Sequence, residues 1–158
     1  MTSNHPKEDS LRSQAISLHM EGNLKEAEVH YRAFLEINPE NSECLHLLGV
    51  LFCQKGSFEE GLSSIKKAID LDPNFSEAHF NLGKTYKELG DNDNSIESFQ
   101  RAVAINPDYY EAHNNLGIIW SEMGDYSAAI ASFSKAIVTN PSFVEGFFNL
   151  GNSFEKIG

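Results

Sequence analysis

The sequence predicts an all-α fold made of one antiparallel helix pair stacked on copies of itself, and three residue combs predict it. Pro39, Pro73, Pro107 and Pro141 stand 34 residues apart. Gly22, Gly56, Gly90, Gly124 and Gly158 keep the same period, as do Gly49, Gly83, Gly117 and Gly151, each preceded by a leucine (Leu48, Leu82, Leu116, Leu150). A fixed period of that size marks a single supersecondary unit repeated along the chain.

The unit is read most clearly between Ser76 and Tyr109. His79, Leu82, Gly83 and Tyr86 recur at i, i+3, i+4 and i+7, which puts them on one face of a first helix. Gly90 stops that helix, and Asp91 to Asn94 supply turn and capping side chains. Ile96, Phe99, Ala102 and Val103 then resume helical spacing as a second helix. It ends at Asn106, because the residue before Pro107 is pushed away from helical dihedrals. Gly83 sits among large apolar residues, where a missing side chain lets the second helix come close.

These residues resemble the tetratricopeptide repeat family. The likeness is strongest in Leu116, Gly117, Trp120, Gly124, Ala129, Phe133, Ala136 and Pro141. It implies a right-handed superhelical solenoid with repeats at 8–41, 42–75, 76–109 and 110–143, then a single helix at 144–158. Residues 1–7 are expected to be a disordered N-terminal tail. The first repeat departs from the pattern, with Gln14-Ala15 for Leu-Gly and Phe34 for alanine, as terminal repeats often do.

Composition narrows the function. Twelve Lys and Arg against 23 Asp and Glu leave a net charge of -11, which repels nucleic acid, so no nucleic-acid partner is expected. Apolar runs such as Leu47 to Cys53 fall far short of the roughly 20 residues that cross a bilayer, so no membrane partner is expected. The opening residues lack the apolar stretch of a secretory signal, which points to a cytoplasmic chain. Cys44 and Cys53 would lie on opposite faces of one helix, ~13 Å apart along its axis. They are therefore read as reduced, packed thiols.

Chemistry-bearing motifs are sparse. Gly83-Lys84-Thr85 ends like a phosphate loop, but Ala78 stands where the upstream glycine belongs. Asp91 to Ser95 begins like a calcium loop, but Ile96 replaces its glycine and Ala102 its glutamate. His79 and His113 occupy equivalent packing positions and read as core histidines. Nothing here calls for a catalytic residue, a metal or a cofactor, and these residues alone are not expected to form an enzyme.

The face of each first helix opposite its packing face carries the candidate site. Glu77, Asn81, Lys84 and Glu88 follow helical spacing there, with Glu111, Asn115, Ile118 and Glu122, then Glu145, Asn149, Asn152 and Lys156, in the next units. The family resemblance implies that this stripe lines a concave groove. Asn81, Asn115 and Asn149 would form a column at about 10 Å intervals, the usual helix spacing. A carboxamide both donates and accepts, so such a column suits the backbone of an extended peptide. It resembles the asparagine ladder in the repeat arm of O-linked N-acetylglucosamine transferases. Phe80, Asn114 and Phe148 flank it as prospective pocket walls.

Glu43, Glu77, Glu111 and Glu145 form a second column that complements the positive helix ends or favours neutral and basic ligands. The stripe His46, Val50, Phe80 and Asn114 lacks the cations of the family's carboxylate clamp. The expectation is a protein-interaction scaffold that holds an extended protein or peptide segment. One alternative is the substrate-selecting arm of a larger transferase, because Phe147, Phe148, Leu150, Phe154 and Ile157 give the last helix the apolar pattern of an internal repeat. Another is a homo-oligomer formed through that helix.

Overall fold

The computed structural model describes residues 5–158, and every regular element among them is helical. The helices are α1 (His5–Met20), α2 (Leu24–Ile37), α3 (Ser42–Gln54), α4 (Phe58–Leu71), α5 (Ser76–Glu88), α6 (Asn92–Ile105), α7 (Tyr110–Glu122), α8 (Tyr126–Thr139) and α9 (Val144–Ile157). The first helix thus starts inside the segment 1–7 expected as a tail, and residues 1–4 lie outside the described ones.

The combs act where the sequence places them. Gly22, Gly56, Gly90 and Gly124 adopt φ of 80°, 78°, 75° and 83°, a left-handed conformation that side-chain-bearing residues rarely enter. Each turns the chain from one helix of a pair into the next. At the other end of the unit, the side chains of Asp72, Asn106 and Asn140 accept hydrogen bonds from the backbone N–H two residues on, at 3.1, 3.1 and 3.2 Å. These Asx turns straddle the prolines. Asn41, Asp91 and Asp125 cap the helices that follow them by accepting from the N–H three residues later, at 2.8, 3.2 and 3.0 Å.

The chain divides into two compact units, one ending at Ala78 and one running from His79 to Gly158. In the first, α1 packs on α2 and α3 on α4. Ala15, Ala27, Tyr31, Cys44, Leu48 and Leu51 are buried together in its core. The departure at Gln14-Ala15 is accommodated, since Ala15 and Tyr31 are both fully buried there. Burial raises the Tyr31 phenol to about 12, and its oxygen lies 3.2 Å from His19 Nδ1. The second unit centres on Ile96, Phe99, Ala102, Ala112, Leu116 and Ile119.

Close approach inside each pair follows one rule. A Cβ placed on Gly49 would lie 2.6 Å from Ile65, one on Gly83 2.8 Å from the Phe99 ring, and one on Gly117 2.6 Å from the Phe133 ring. In all three cases the intruding residue stands sixteen positions after the glycine. The glycine is therefore the notch and the second-helix side chain the knob. Ser95, fully buried, ties the same joint by donating to the Gly83 carbonyl at 2.8 Å.

Candidate functional site

The residues expected to form the groove lie on α5, α7 and α9, and their side chains are engaged unequally. Asn115 is half-buried, and its Nδ2 donates to the Glu111 carbonyl of its own helix at 2.8 Å. Asn149 Nδ2 donates to Asn114 Oδ1 at 3.1 Å, and Asn114 Nδ2 in turn donates to Glu145 Oε1 at 3.4 Å. Asn114 is only 4% exposed. The expectation that it walls a pocket is corrected by this: it is an internal clip between α7 and α9. A buried amide needs partners for its donors and acceptor, and Asn149 and Glu145 supply them.

One of the two Nδ2 hydrogens on Asn115 and on Asn149 is committed in this way, which leaves a second hydrogen and the carbonyl oxygen on each. Asn81 is half-buried and has a polar interaction of its own. Phe80 is half-buried, stacked on Tyr109 with centroids 4.7 Å apart and tilted against Phe99 at 5.6 Å. Lys84 is exposed, with Nζ 5.8 Å from the Phe80 ring. Ile118 is half-buried, and Asn152 and Phe148 are exposed, Phe148 by 67%.

The glutamate column is engaged one residue at a time. Glu43 pairs with Arg12, Glu77 accepts from Ser76 Oγ at 2.9 Å, and Glu145 accepts from Asn114. A hydrogen bond to Glu111 raises the Tyr110 phenol above its ordinary value. His46 is buried edge-on to Phe75, centroids 4.8 Å apart. Burial drives its pKa down to about 4 against the pull of Glu77 and Glu43. His113 is buried too, with Nε2–H donating to the Pro107 carbonyl at 3.0 Å. Burial lowers its pKa, the Pro107 hydrogen bond opposes that, and Lys135 lowers it further.

The weaker motifs resolve into structure. Gly83 is filled by the Phe99 ring, and Asp91 spends its carboxylate on the Asn94 backbone and side-chain amides at 3.2 and 2.7 Å. Among the described residues no group of three His, Cys, Asp or Glu is placed to hold a metal. No helix there is long and apolar enough to cross a membrane.

Sequence reasoning missed the relay from Asn149 through Asn114 to Glu145. Its signal was present: position 114 repeats the register of His46 and Phe80, so a carboxamide stands where the preceding units place a ring.

Known proteins agree with this architecture. The family model for "TPR repeat" matches residues 49–90 and 83–124, and that for "Tetratricopeptide repeat" matches residues 110–143, together more than half of the chain. A crystal structure of MamA protein is similar with TM-score 0.85 and 27% identity, over 96% of this chain and 82% of that one. An O-GlcNAc transferase mutant from Thermobaculum terrenum is similar with TM-score 0.80 and 28% identity, over 87% of this chain but 27% of the transferase. YrrB, described as a TPR protein with an unusual peptide-binding site, shares the fold with TM-score 0.77 and 21% identity, over 96% of this chain and 79% of its own. Curated proteins give no match.

Proposed function

This chain belongs to the tetratricopeptide repeat family, and we propose that it is a protein-interaction scaffold whose α5, α7 and α9 bind an extended peptide segment. The observation that carries this reading is the hydrogen-bonded amide set on those helices. Asn115 is held by its own backbone and Asn149 by Asn114, so their remaining amide groups are fixed in orientation before a ligand arrives. Pre-set groups lose little entropy on binding, which is how a modest polar surface holds a flexible chain. Glu77, Glu111 and Glu145 on the same helices favour neutral or basic segments. Cys44 and Cys53 are not joined in a disulfide, which suits a reducing, cytoplasmic setting.

The test is a peptide-array screen with the wild type and the Asn81→Ala/Asn115→Ala/Asn149→Ala variant, then calorimetry on the hits. Each lost amide removes hydrogen bonds worth about 0.5–1.5 kcal/mol net, so affinity should fall about 10- to 1000-fold. Equal affinity of both proteins for every hit removes the proposal. The likeness to the transferase is compatible with a substrate-selecting arm, but the scaffold reading requires no further domain and stands first.

Self-association through α9 is a second proposal, favoured by the exposure of Phe147, Phe148, Phe154 and Ile157. Light scattering of the wild type against Phe148→Glu/Phe154→Glu tests it. A wild type that stays monomeric at high concentration refutes it.

A further inference from the structure

Away from the first-helix face, each unit holds a cleft between successive second helices. In the second unit it is lined by Gln100, Val103 and Ala104 of α6, Pro107, His113 of α7, and Ser134, Lys135, Val138 and Thr139 of α8, with a volume of about 510 Å³. In the first unit it is lined by Arg32, Leu35, Glu36, Pro39, Leu45, Leu48 and Lys67, with a volume of about 320 Å³. Six of those seven residues map onto lining residues of the larger cleft by adding two repeats, 68 positions. The cleft is thus a product of the repeat: two second helices stand on either side of a first helix, whose residue 45 or 113 forms the floor.

The two clefts differ in charge. Glu36 lines the smaller one beside Lys67, and its Arg32 is already paired with Glu28 at 2.9 Å. The larger has Lys135 as its one formal charge, because His113 is buried and bonded to Pro107. Lys135 has no ion-pair partner among the described residues. Its ammonium stands beside Val103, Pro107 and Val138 of the lining, and a cation at the edge of an apolar cleft is complementary to a carboxylate. Val138, on the same rim, is 79% exposed, a large apolar side chain left uncovered. Gln100, Ser134 and Thr139 offer donors and acceptors along the rims. A peptide backbone would use these, whereas the tail of a free fatty acid would leave them unpaired.

We propose that the cleft between α6 and α8 is a second binding site, which receives a short acidic peptide segment with an apolar side chain on Val103, Pro107 and His113 and a carboxylate against Lys135. The site is separate from the asparagine-bearing face and has the opposite charge preference, so it does not depend on the reading proposed there.

The test is fluorescence anisotropy on the full chain with a labelled ten-residue peptide in which Leu-Phe precedes two glutamates, and with a twin carrying lysines in their place. The acidic peptide should bind at least about tenfold more tightly than the twin, and Lys135→Glu should weaken it by about tenfold or more. Ala104→Trp, at an exposed rim position, should fill the cleft and abolish binding, while the triple asparagine variant should bind as the wild type does. Methyl signals of Val138 and Thr139 should shift on titration. Equal binding of the two peptides, affinity unchanged by Lys135→Glu, or no binding at millimolar peptide would each overturn the proposal. Displacement by dodecanoate at equal affinity would overturn it as well, by assigning the cleft to amphiphiles. Lys135 is exposed, so that variant keeps the test decisive if Ala104→Trp fails to fold.

Discussion

Helices α7 and α9 carry the same triplet, Asn115-Leu116-Gly117 and Asn149-Leu150-Gly151, but α7 packs against both α6 and α8 whereas α9 packs chiefly against α8. The consequences are local and large. A Cβ on Gly117 would strike the Phe133 ring, but one on Gly151 would meet nothing within 4 Å. Phe154 stands in the register of half-buried Trp120, and it is 56% exposed. What a helix offers is written in its own residues, and what it buries depends on which neighbours reach it.

The sharpest way to break this comparison is at the knob. Phe133→Ala should cost about 3–5 kcal/mol in urea unfolding, because the residue is buried and its notch cannot close over the hole. Phe154→Ala should stay within about 0.5 kcal/mol. Similar losses from both would mean that α9 is covered in solution. The notch gives a second test: Gly117→Leu should destabilise by about 1–3 kcal/mol or more by overpacking. Gly151→Ala should gain up to about 1 kcal/mol from helix propensity alone. Thermal melts read both, and a Gly117→Leu melting temperature equal to that of the wild type would end the knob-and-notch account.

The register of residues 46, 80, 114 and 148 sharpens the comparison further, since His46 and Asn114 are buried and Phe148 is exposed. Folding lowers the His46 pKa to about 4, so the unfolded chain holds the proton more tightly. Between pH 4 and 6.5 the unfolded state therefore binds more protons, and the stability contributed by neutral His46 is complete above about pH 6.5 and lost on acidification. Going from pH 7 to pH 5 should remove up to about 2 kcal/mol through this group. His46→Phe, the ring that the next repeat uses, should reduce that slope in urea titrations at the two pH values. An unchanged slope would place the acid sensitivity elsewhere. Asn114→Ala should cost about 1–2 kcal/mol by leaving Asn149 and Glu145 without their shared partner. Phe148→Ala, in the same register, should barely register in the same assay.

Much of the fold was legible in the sequence because it rests on local rules. A turn that needs a left-handed residue selects glycine, a proline ends the helix before it, and the period of those two residues places the helix boundaries. Gly83 and Gly117 were legible as close-approach positions for the same reason, since an absent side chain within an apolar stripe has few other uses. The candidate site was legible only as a stripe. Spacing put Asn81, Asn115 and Asn149 on one face, but the partner of Asn149 depends on how far α7 lies from α9. The side chain that bridges that gap, Asn114, comes from a neighbouring stripe.

The sequence by itself determined the helix pairs, their turns, the notch that each second helix fills and the acidic balance of the chain, because all of these follow from residues near one another or from composition. Only the tertiary structure decided which polar groups meet and where space remains between elements. The Asn114 clip needs residues more than thirty positions apart to come within hydrogen-bond distance. The cleft at Lys135 is an empty volume bounded by three elements, and a spacing pattern records only the side chains that are present.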